Sequence, residues 1–145
     1  MSVLAERIIA TTVSWAKEQP TIQAVALVGP HARGPAREDS DIDFVLLTTN
    51  PHAFGADASW LNTIGWDSIG TRIGEWQDEH YGRIWSRHLL LEQNNGEIEF
   101  GFALPSWADI DPVDPGTRSV IADGCCILYD PKNMLGRLCT VVAGV

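Results

Sequence analysis

Two aspartates, Asp41 and Asp43, stand two positions apart in the first third of the chain. Because side chains alternate across a strand, this spacing places both carboxylates on one face of a strand that begins here. Mg²⁺ is commonly held by one or two carboxylates and keeps its other positions for water and substrate phosphates. The pair therefore predicts a divalent-cation site that acts on phosphate groups.

Two short apolar runs flank these acids. Residues 24–28 form a β-rich run that ends at Gly29 and Pro30, and residues 44–48 form a second run directly after Asp43. Runs of this length, bounded by turn residues, are typical of buried strands. They predict two neighbouring strands, with the glycine turn and the paired acids between them.

Other interpretations of the acids were tested against their spacing. Asp39, Asp41 and Asp43 match the first, third and fifth positions of a helix-loop-helix calcium loop. Phe44 and Asn50 stand where that loop requires glycine and a bidentate glutamate, so it is rejected. A glycosyltransferase metal motif and a solvated acidic turn remain as alternatives. No P-loop or dinucleotide-binding glycine motif is present.

The ordered pattern of strand, Gly29, A-R-G at 32–34 and S-D-I-D-F at 40–44 resembles the nucleotidyltransferase superfamily. That superfamily includes the minimal nucleotidyltransferases and the aminoglycoside and lincosamide adenylyltransferases. The resemblance implies an α/β (α+β) fold with a nucleotidyltransferase-like core, in which helices flank a mixed β-sheet. It also implies two bound Mg²⁺ ions, and ATP or another nucleoside triphosphate as the substrate.

The resemblance assigns roles to individual residues. Asp41 and Asp43 would be catalytic and would hold the metal, whereas Gly29, Arg33 and Ser40 would bind the nucleotide. The expected activity moves a nucleoside monophosphate to a hydroxyl of a small molecule or a protein.

Pro30, the remaining nucleotide-binding candidate, departs from the family pattern. The family carries serine at this position, and proline removes one hydroxyl and one N–H donor. The alternative interpretation is therefore a catalytically degenerate protein that acts as a binding or antitoxin-like partner.

A two-metal site needs a third carboxylate. A turn at 94–96 joins residues 89–91 to an alternating stretch at 97–102, which predicts a β-hairpin. Glu97 and Glu99 share one face of the second arm, opposite its apolar side chains. Glu99 resembles the third acid of the family, as a catalytic residue and metal ligand, and Glu97 remains the alternative.

Composition narrows the class of partner. The 145 residues are 45% apolar and predict one domain over 1–145. A net charge of −9 with only 10 basic residues disfavours nucleic acid and favours small cationic acceptors. The antibiotic-modifying relatives usually carry a further helical domain, so a homodimer partner or a second protein is expected to complete the acceptor pocket.

The chain shows no signal peptide and no apolar run long enough for a membrane. Its three cysteines form neither a disulfide framework nor a zinc pattern. We therefore expect a cytoplasmic protein without membrane partners. Most of the six tryptophans are expected in the core, with one or two left to stack on a base.

Apolar periodicity and turn residues predict the remaining elements. The expected helices are 4–17, 53–64, 117–122 and one from 134 onward, and the further expected strands are 70–76, 82–91 and 125–129.

Overall fold

The structure, a computed structural model, describes residues 3–34, 36, 41–94 and 96–144. Its strands are β1 (Ile22–Val28), β2 (Ile42–Thr48), β3 (Ile73–Tyr81), β4 (Ile84–Leu91), β5 (Glu97–Ala103) and β6 (Cys125–Tyr129). Its helices are α1 (Val3–Lys17), α2 (Pro30–Arg33), α3 (Ala53–Ala56), α4 (Pro115–Asp123) and α5 (Met134–Ala143). Short 3₁₀ segments lie at Ala58–Asn62, Trp66–Ile69, Glu92–Asn94 and Pro105–Ala108.

The strands form one mixed sheet in the order β3-β4-β5-β2-β1-β6. β2 and β5 run parallel, and the other neighbouring strands are antiparallel. The predicted fold class, a mixed sheet flanked by helices, is confirmed. The candidate active site lies on this parallel pair of strands.

Apolar side chains cover both faces of the central strands. On one face, α1 and the 53–69 segment pack against alternate residues of the sheet, including Phe44 and Phe100. On the other face, α4, α5 and the 105–108 segment pack against residues such as Val45 and Leu47. Burial on both faces explains why β1 and β2 are nearly continuous apolar runs rather than alternating ones.

The predicted helix over 53–64 is wrong. The helix ends after one turn at Ala56, and Asp57 adopts an extended conformation with φ −131° and ψ 112°. The Asp57 carboxylate accepts a hydrogen bond from the backbone N–H of Ser59 at 2.9 Å, which starts a separate 3₁₀ turn. Local side-chain to backbone hydrogen bonding therefore competes with continuation of the helix.

The predicted strands 70–76 and 82–91 are present as β3 and β4, with shifted ends. β3 begins at Ile73 and continues to Tyr81, so that the chain reverses at Gly82, whose φ of 55° favours glycine. β4 and β5 pair antiparallel as expected from the turn at 94–96. Asn95 lies outside the described residues.

The other predicted elements are found at closely similar positions, as helices α1, α4 and α5 and strand β6. In the part of the chain that the structure covers, every helix is too short or too polar to cross a membrane.

Candidate active site

Asp43 and Glu99 are brought together by the parallel pairing of β2 and β5. The register pairs Asp43 directly with Glu99, flanked by Ile42 with Ile98 and Phe44 with Phe100. The flanking residues are buried in the core, so by alternation the two acids point to the opposite face of the sheet. Two residues that are far apart in the sequence therefore form one pair of carboxyl groups.

The pair is half-buried and electrostatically strained. Burial raises the pKa of Asp43 to about 7, and the charges of Glu99 and Asp41 act in the same direction. Burial also raises the pKa of Glu99, although the charge of His88 opposes this shift. The two carboxyl groups adjoin each other in the register of β2 and β5, so a proton held by one can be shared with the other. Two acids this close share a proton more readily than they carry two charges.

Gly29 closes one side of the pair. It follows β1 directly, with φ 72° and ψ −155°, a conformation that is largely restricted to glycine. A Cβ atom at this position would lie 2.2 Å from Oδ2 of Asp43. The glycine therefore serves the backbone turn and also leaves the space that the Asp43 carboxylate occupies.

His88 lies on the other side of the pair, on β4. It pairs with Glu99 in the antiparallel register of β4 and β5. Its Nε2 atom lies 3.0 Å from Oε1 of Glu99 and 3.9 Å from Oε1 of Glu79. A row of three side chains, Asp43, Glu99 and His88, thus crosses three adjacent strands.

The remaining predicted site residues lie around this row. Asp41 is exposed and precedes β2, and its charge raises the pKa of Asp43 and Glu99. Pro30 is the first residue of α2, and Arg33, at the end of that helix, is exposed. The predicted nucleotide-binding residue Ser40 lies outside the described residues.

Glu97, the alternative third acid, is the first residue of β5 and lies two residues before Glu99. It pairs with Leu90 of β4, and the β2 pairing begins only at Ile98. The geometry therefore places Glu99, rather than Glu97, beside Asp43.

A shallow groove of about 200 Å³ adjoins the row on its β3 side. Its lining combines acidic and apolar groups, from Glu75, Trp76, Gln77, His88, Leu90 and Glu97. Trp76 is 50% exposed, whereas the other five tryptophans are buried. The Arg87 guanidinium lies over the Trp76 ring on the opposite face of the sheet, so the acidic side chains are what the groove presents near Glu99.

The carboxylate oxygens of Asp43 and Glu99 are candidate ligands for a divalent cation. Among the described residues, no three ligating side chains are close enough to form a complete metal site. Mg²⁺ does not need one, because one or two carboxylates suffice when water and phosphates supply the rest. The Asp43–Glu99 pair is a hard oxygen donor set whose like charges a cation would relieve, so these residues fit Mg²⁺.

His88 was not among the site residues predicted from the sequence. The hairpin itself contains the signal. Since Leu90 pairs with Glu97, counting two residues back on β4 and two forward on β5 places His88 opposite Glu99. An antiparallel register counted from the predicted turn could have identified this residue.

Comparison with known proteins was made at the level of family, sequence and fold. Residues 4–100, more than half of the chain, match the family described as streptomycin adenylyltransferase. No curated protein matched significantly. Among solved structures, a poly(A) polymerase complex of GLD-2 with GLD-3 is similar, with 15% identity and a TM-score of 0.37. That match covers 83% of this chain and 44% of the polymerase chain.

Proposed function

Because the chain belongs to the streptomycin adenylyltransferase family, we propose that it moves a nucleoside monophosphate from a nucleoside triphosphate, with ATP as the expected donor, to an acceptor hydroxyl. Family membership confirms the resemblance to nucleotidyltransferases that the sequence suggested. The observation that carries the proposal is the pairing of Asp43 with Glu99 beside the Gly29 turn. This arrangement supports metal-dependent transfer of a nucleoside monophosphate in which the two carboxyl groups take part.

In this proposal, Asp43 and Glu99 would hold Mg²⁺, with Asp41 as an additional exposed carboxylate. The bound metal would polarise the reacting phosphate and neutralise charge on the departing pyrophosphate. Glu99 would either complete the metal site or accept the proton of the acceptor hydroxyl.

The outer phosphates would lie against the turn that Gly29 and Pro30 form. Arg33 is exposed at the end of α2, and its guanidinium would turn toward a phosphate. Pro30 contributes no N–H, so phosphate binding here would depend on the remaining backbone amides and on Arg33. Ser40 stays a proposed contact of the nucleotide.

The acceptor would be a small molecule or a protein, and the acidic groove favours a cationic one. Glu75 and Glu97 line the groove next to Glu99, and the whole chain carries a net charge of −9. Such a surface attracts cations and repels the phosphates of nucleic acid. A second copy of the chain, or another protein, would complete the pocket.

A second function, a nucleotide-binding or partner-binding module without turnover, is favoured by two observations. Pro30 stands where the family has serine, and Asp41, the first acid of the predicted pair, is exposed. A module of this kind would bind nucleotide without releasing pyrophosphate.

The deciding experiment is calorimetric binding of a non-hydrolysable ATP analogue with Mg²⁺. The native chain is compared with an Asp41→Asn, Asp43→Asn double variant. A double variant Asp109→Asn, Asp111→Asn is the matched control, because it removes two exposed acids with the same spacing. Metal-dependent binding that only the first variant loses supports the proposal.

Absence of binding by the native chain at millimolar nucleotide would contradict nucleotidyl transfer and would favour a module that uses the fold for protein contacts. If the native chain binds, pyrophosphate release with candidate acceptors separates them. Release supports transfer, and binding without release supports the module.

A further inference from the structure

One ring nitrogen lies between two carboxylates at the edge of the proposed site. Nε2 of His88 is 3.0 Å from Glu99 Oε1 and 3.9 Å from Glu79 Oε1. The side chains of His88 and Glu99 are 29% and 26% exposed. The contact is therefore partly shielded from water, where charges interact more strongly than at a free surface.

The strand register builds this contact. His88 is paired with Glu99 across β4 and β5, and Glu99 is paired with Asp43 across β5 and β2. Because all three backbones belong to one hydrogen-bonded sheet, their Cα positions are held in a fixed row. Glu99 is consequently held between an acid on one side and an imidazole on the other.

Nε2 of His88 approaches Glu99 more closely than it approaches Glu79. The atom is buried and makes no hydrogen bond of acceptable geometry among the residues that the structure describes. The close approach to Oε1 of Glu99 is thus a contact at ion-pair distance rather than a well-aligned hydrogen bond. The carboxylate of Glu99 is therefore the acidic group closest to Nε2 of His88.

We propose that His88 is a positioning residue, which holds the Glu99 carboxylate in the orientation that the proposed transfer reaction uses. The expected effect of His88 on the reaction rests on the proposed function, whereas the contact between His88 and Glu99 does not. Groups that orient a metal-binding carboxylate typically change metal affinity or activity by about 10–100-fold when they are removed. His88 touches Glu99 and is not itself assigned to the reacting atoms.

The first test is structural and needs no activity. Crystal structures of the native chain and of His88→Ala, both without metal, are compared at Glu99. We expect one Glu99 conformer in the native protein, in contact with His88, and a reoriented or multiple Glu99 side chain in the variant. An unchanged Glu99 conformer in His88→Ala would overturn the proposal, whether or not the protein binds nucleotide.

The second test measures Mn²⁺-dependent binding of the ATP analogue and, where turnover occurs, kcat and KM separately. His88→Ala should weaken binding of metal and analogue by about 10–100-fold. It should lower kcat while leaving the acceptor KM nearly unchanged, as expected when the Glu99 carboxylate is displaced and the acceptor site is intact. His88→Gln should restore much of the loss, because its amide N–H can stand near the position of Nε2.

His80 provides the matched control. It is an exposed histidine on β3 that pairs with Trp85, so His80→Ala and His80→Gln should leave binding and Glu99 unchanged. Equal losses in the His80 and His88 variants, or no recovery in His88→Gln, would indicate a general structural effect and contradict the proposal. If the native chain fails to bind, the proposed function fails, and the crystallographic comparison still decides the role of His88.

Discussion

At the residue scale, Gly29 fills a position that accepts no side chain. Its backbone conformation, φ 72° and ψ −155°, is largely restricted to glycine. Its missing Cβ also leaves room for Oδ2 of Asp43, which would lie only 2.2 Å from such an atom. The two constraints are separable, since one concerns the backbone and the other the neighbouring acid.

Gly29→Ala should therefore destabilise the protein and also displace Asp43. We expect a loss of about 1–3 kcal/mol for the backbone conformation alone, with loss of metal-dependent nucleotide binding in addition. Chemical denaturation measures the first effect, and calorimetry with the ATP analogue measures the second.

Gly34→Ala separates these effects. Gly34 also has a positive φ, of 134°, but a Cβ there would meet no described atom within 4 Å. We expect a conformational loss of stability with binding retained. Equal binding by the Gly29 and Gly34 variants would show that Asp43 does not need the space beside Gly29.

The elevated pKa of Asp43 predicts a pH dependence of stability. Its ordinary value is 3.8, and burial with neighbouring acids raises it to about 7 in the folded chain. Between these values the folded state binds more protons than the unfolded state. The free energy of unfolding without metal should therefore fall as the pH rises from about 4 to about 7.

Asp43→Asn cannot titrate, so it should flatten the pH dependence in that window. Above pH 7 we expect the variant to be more stable than the native chain without metal, by about 1–2 kcal/mol, because water screens part of the effect at a half-buried pair. Thermal unfolding in chelator at several pH values measures this, with exposed Asp109→Asn as the control. If the native chain and Asp43→Asn showed the same change of stability with pH, the pKa of Asp43 would not be raised in the folded chain.

At the scale of elements, β3 is an exposed edge strand. It pairs with β4, and the side chain of Arg87 on β4 also binds it. Arg87, on β4, is only 3% exposed and donates hydrogen bonds to both carboxylate oxygens of Asp78 on β3, at 2.7 and 2.9 Å. Its guanidinium also lies over the rings of Trp60, Trp76 and Trp85. This cluster lies on the sheet face opposite His88, so it supports the strand that carries the proposed positioning residue.

Asp78→Asn should loosen this attachment. A hydrogen bond to a charged group contributes about 1.5–3 kcal/mol, and we expect about 1–2 kcal/mol here because Asp78 is 37% exposed. Denaturant unfolding gives the magnitude, and hydrogen exchange should show faster exchange of the β3 amides. Unaltered β3 protection would mean that the ion pair does not hold the strand.

Asp67→Asn is the comparison for this prediction. Asp67 pairs with Arg72 at 2.9 Å, but both side chains are more than 70% exposed. Exposed pairs contribute about 0–1 kcal/mol, so this variant should change stability much less than Asp78→Asn.

At the scale of the whole molecule, an aromatic cluster joins the sheet to the segments that cover one of its faces. Phe100, which is fully buried, stacks on Phe44 and contacts Trp15, Trp60 and Trp66. It follows Glu99 directly in β5, so packing of the core and placement of the acid depend on the same strand.

Phe100→Ala should cost about 3–5 kcal/mol, as expected for removing a large buried aromatic side chain. The cavity should also weaken metal-dependent binding through displacement of Glu99. Denaturant unfolding and the calorimetric assay measure the two effects. Leu104→Ala, at a position that is 50% exposed, should cost far less, and equal losses would show that Phe100 has no special place in the core.

Much of the local structure follows from the sequence alone. The apolar runs predicted β1 and β2, the alternation around Ile98 and Phe100 predicted β5, and the turn at 94–96 predicted its pairing with β4. These predictions succeed because period, turn residues and hydrophobicity act within a few neighbouring residues. The paired acids and the A-R-G segment were sufficient to suggest the family.

The helix over 53–64 shows where such reasoning fails. Its apolar residues suggested one helix, whereas the Asp57 carboxylate binds the N–H of Ser59 and starts a new turn. The six-tryptophan composition likewise did not indicate which ring stays outside. Trp76 is exposed because it lies on the edge strand, a position that depends on the order of strands.

The sequence by itself determined most of the elements, the glycine turn and the kinds of acid that could act together. Only the tertiary structure decided that Asp43 faces Glu99 and that His88 stands next to them. The parallel register of β2 and β5 joins segments that are far apart in the chain, and it depends on how both sheet faces are packed. Local pattern does not specify that pairing, because sheet register is set by the burial of an entire face.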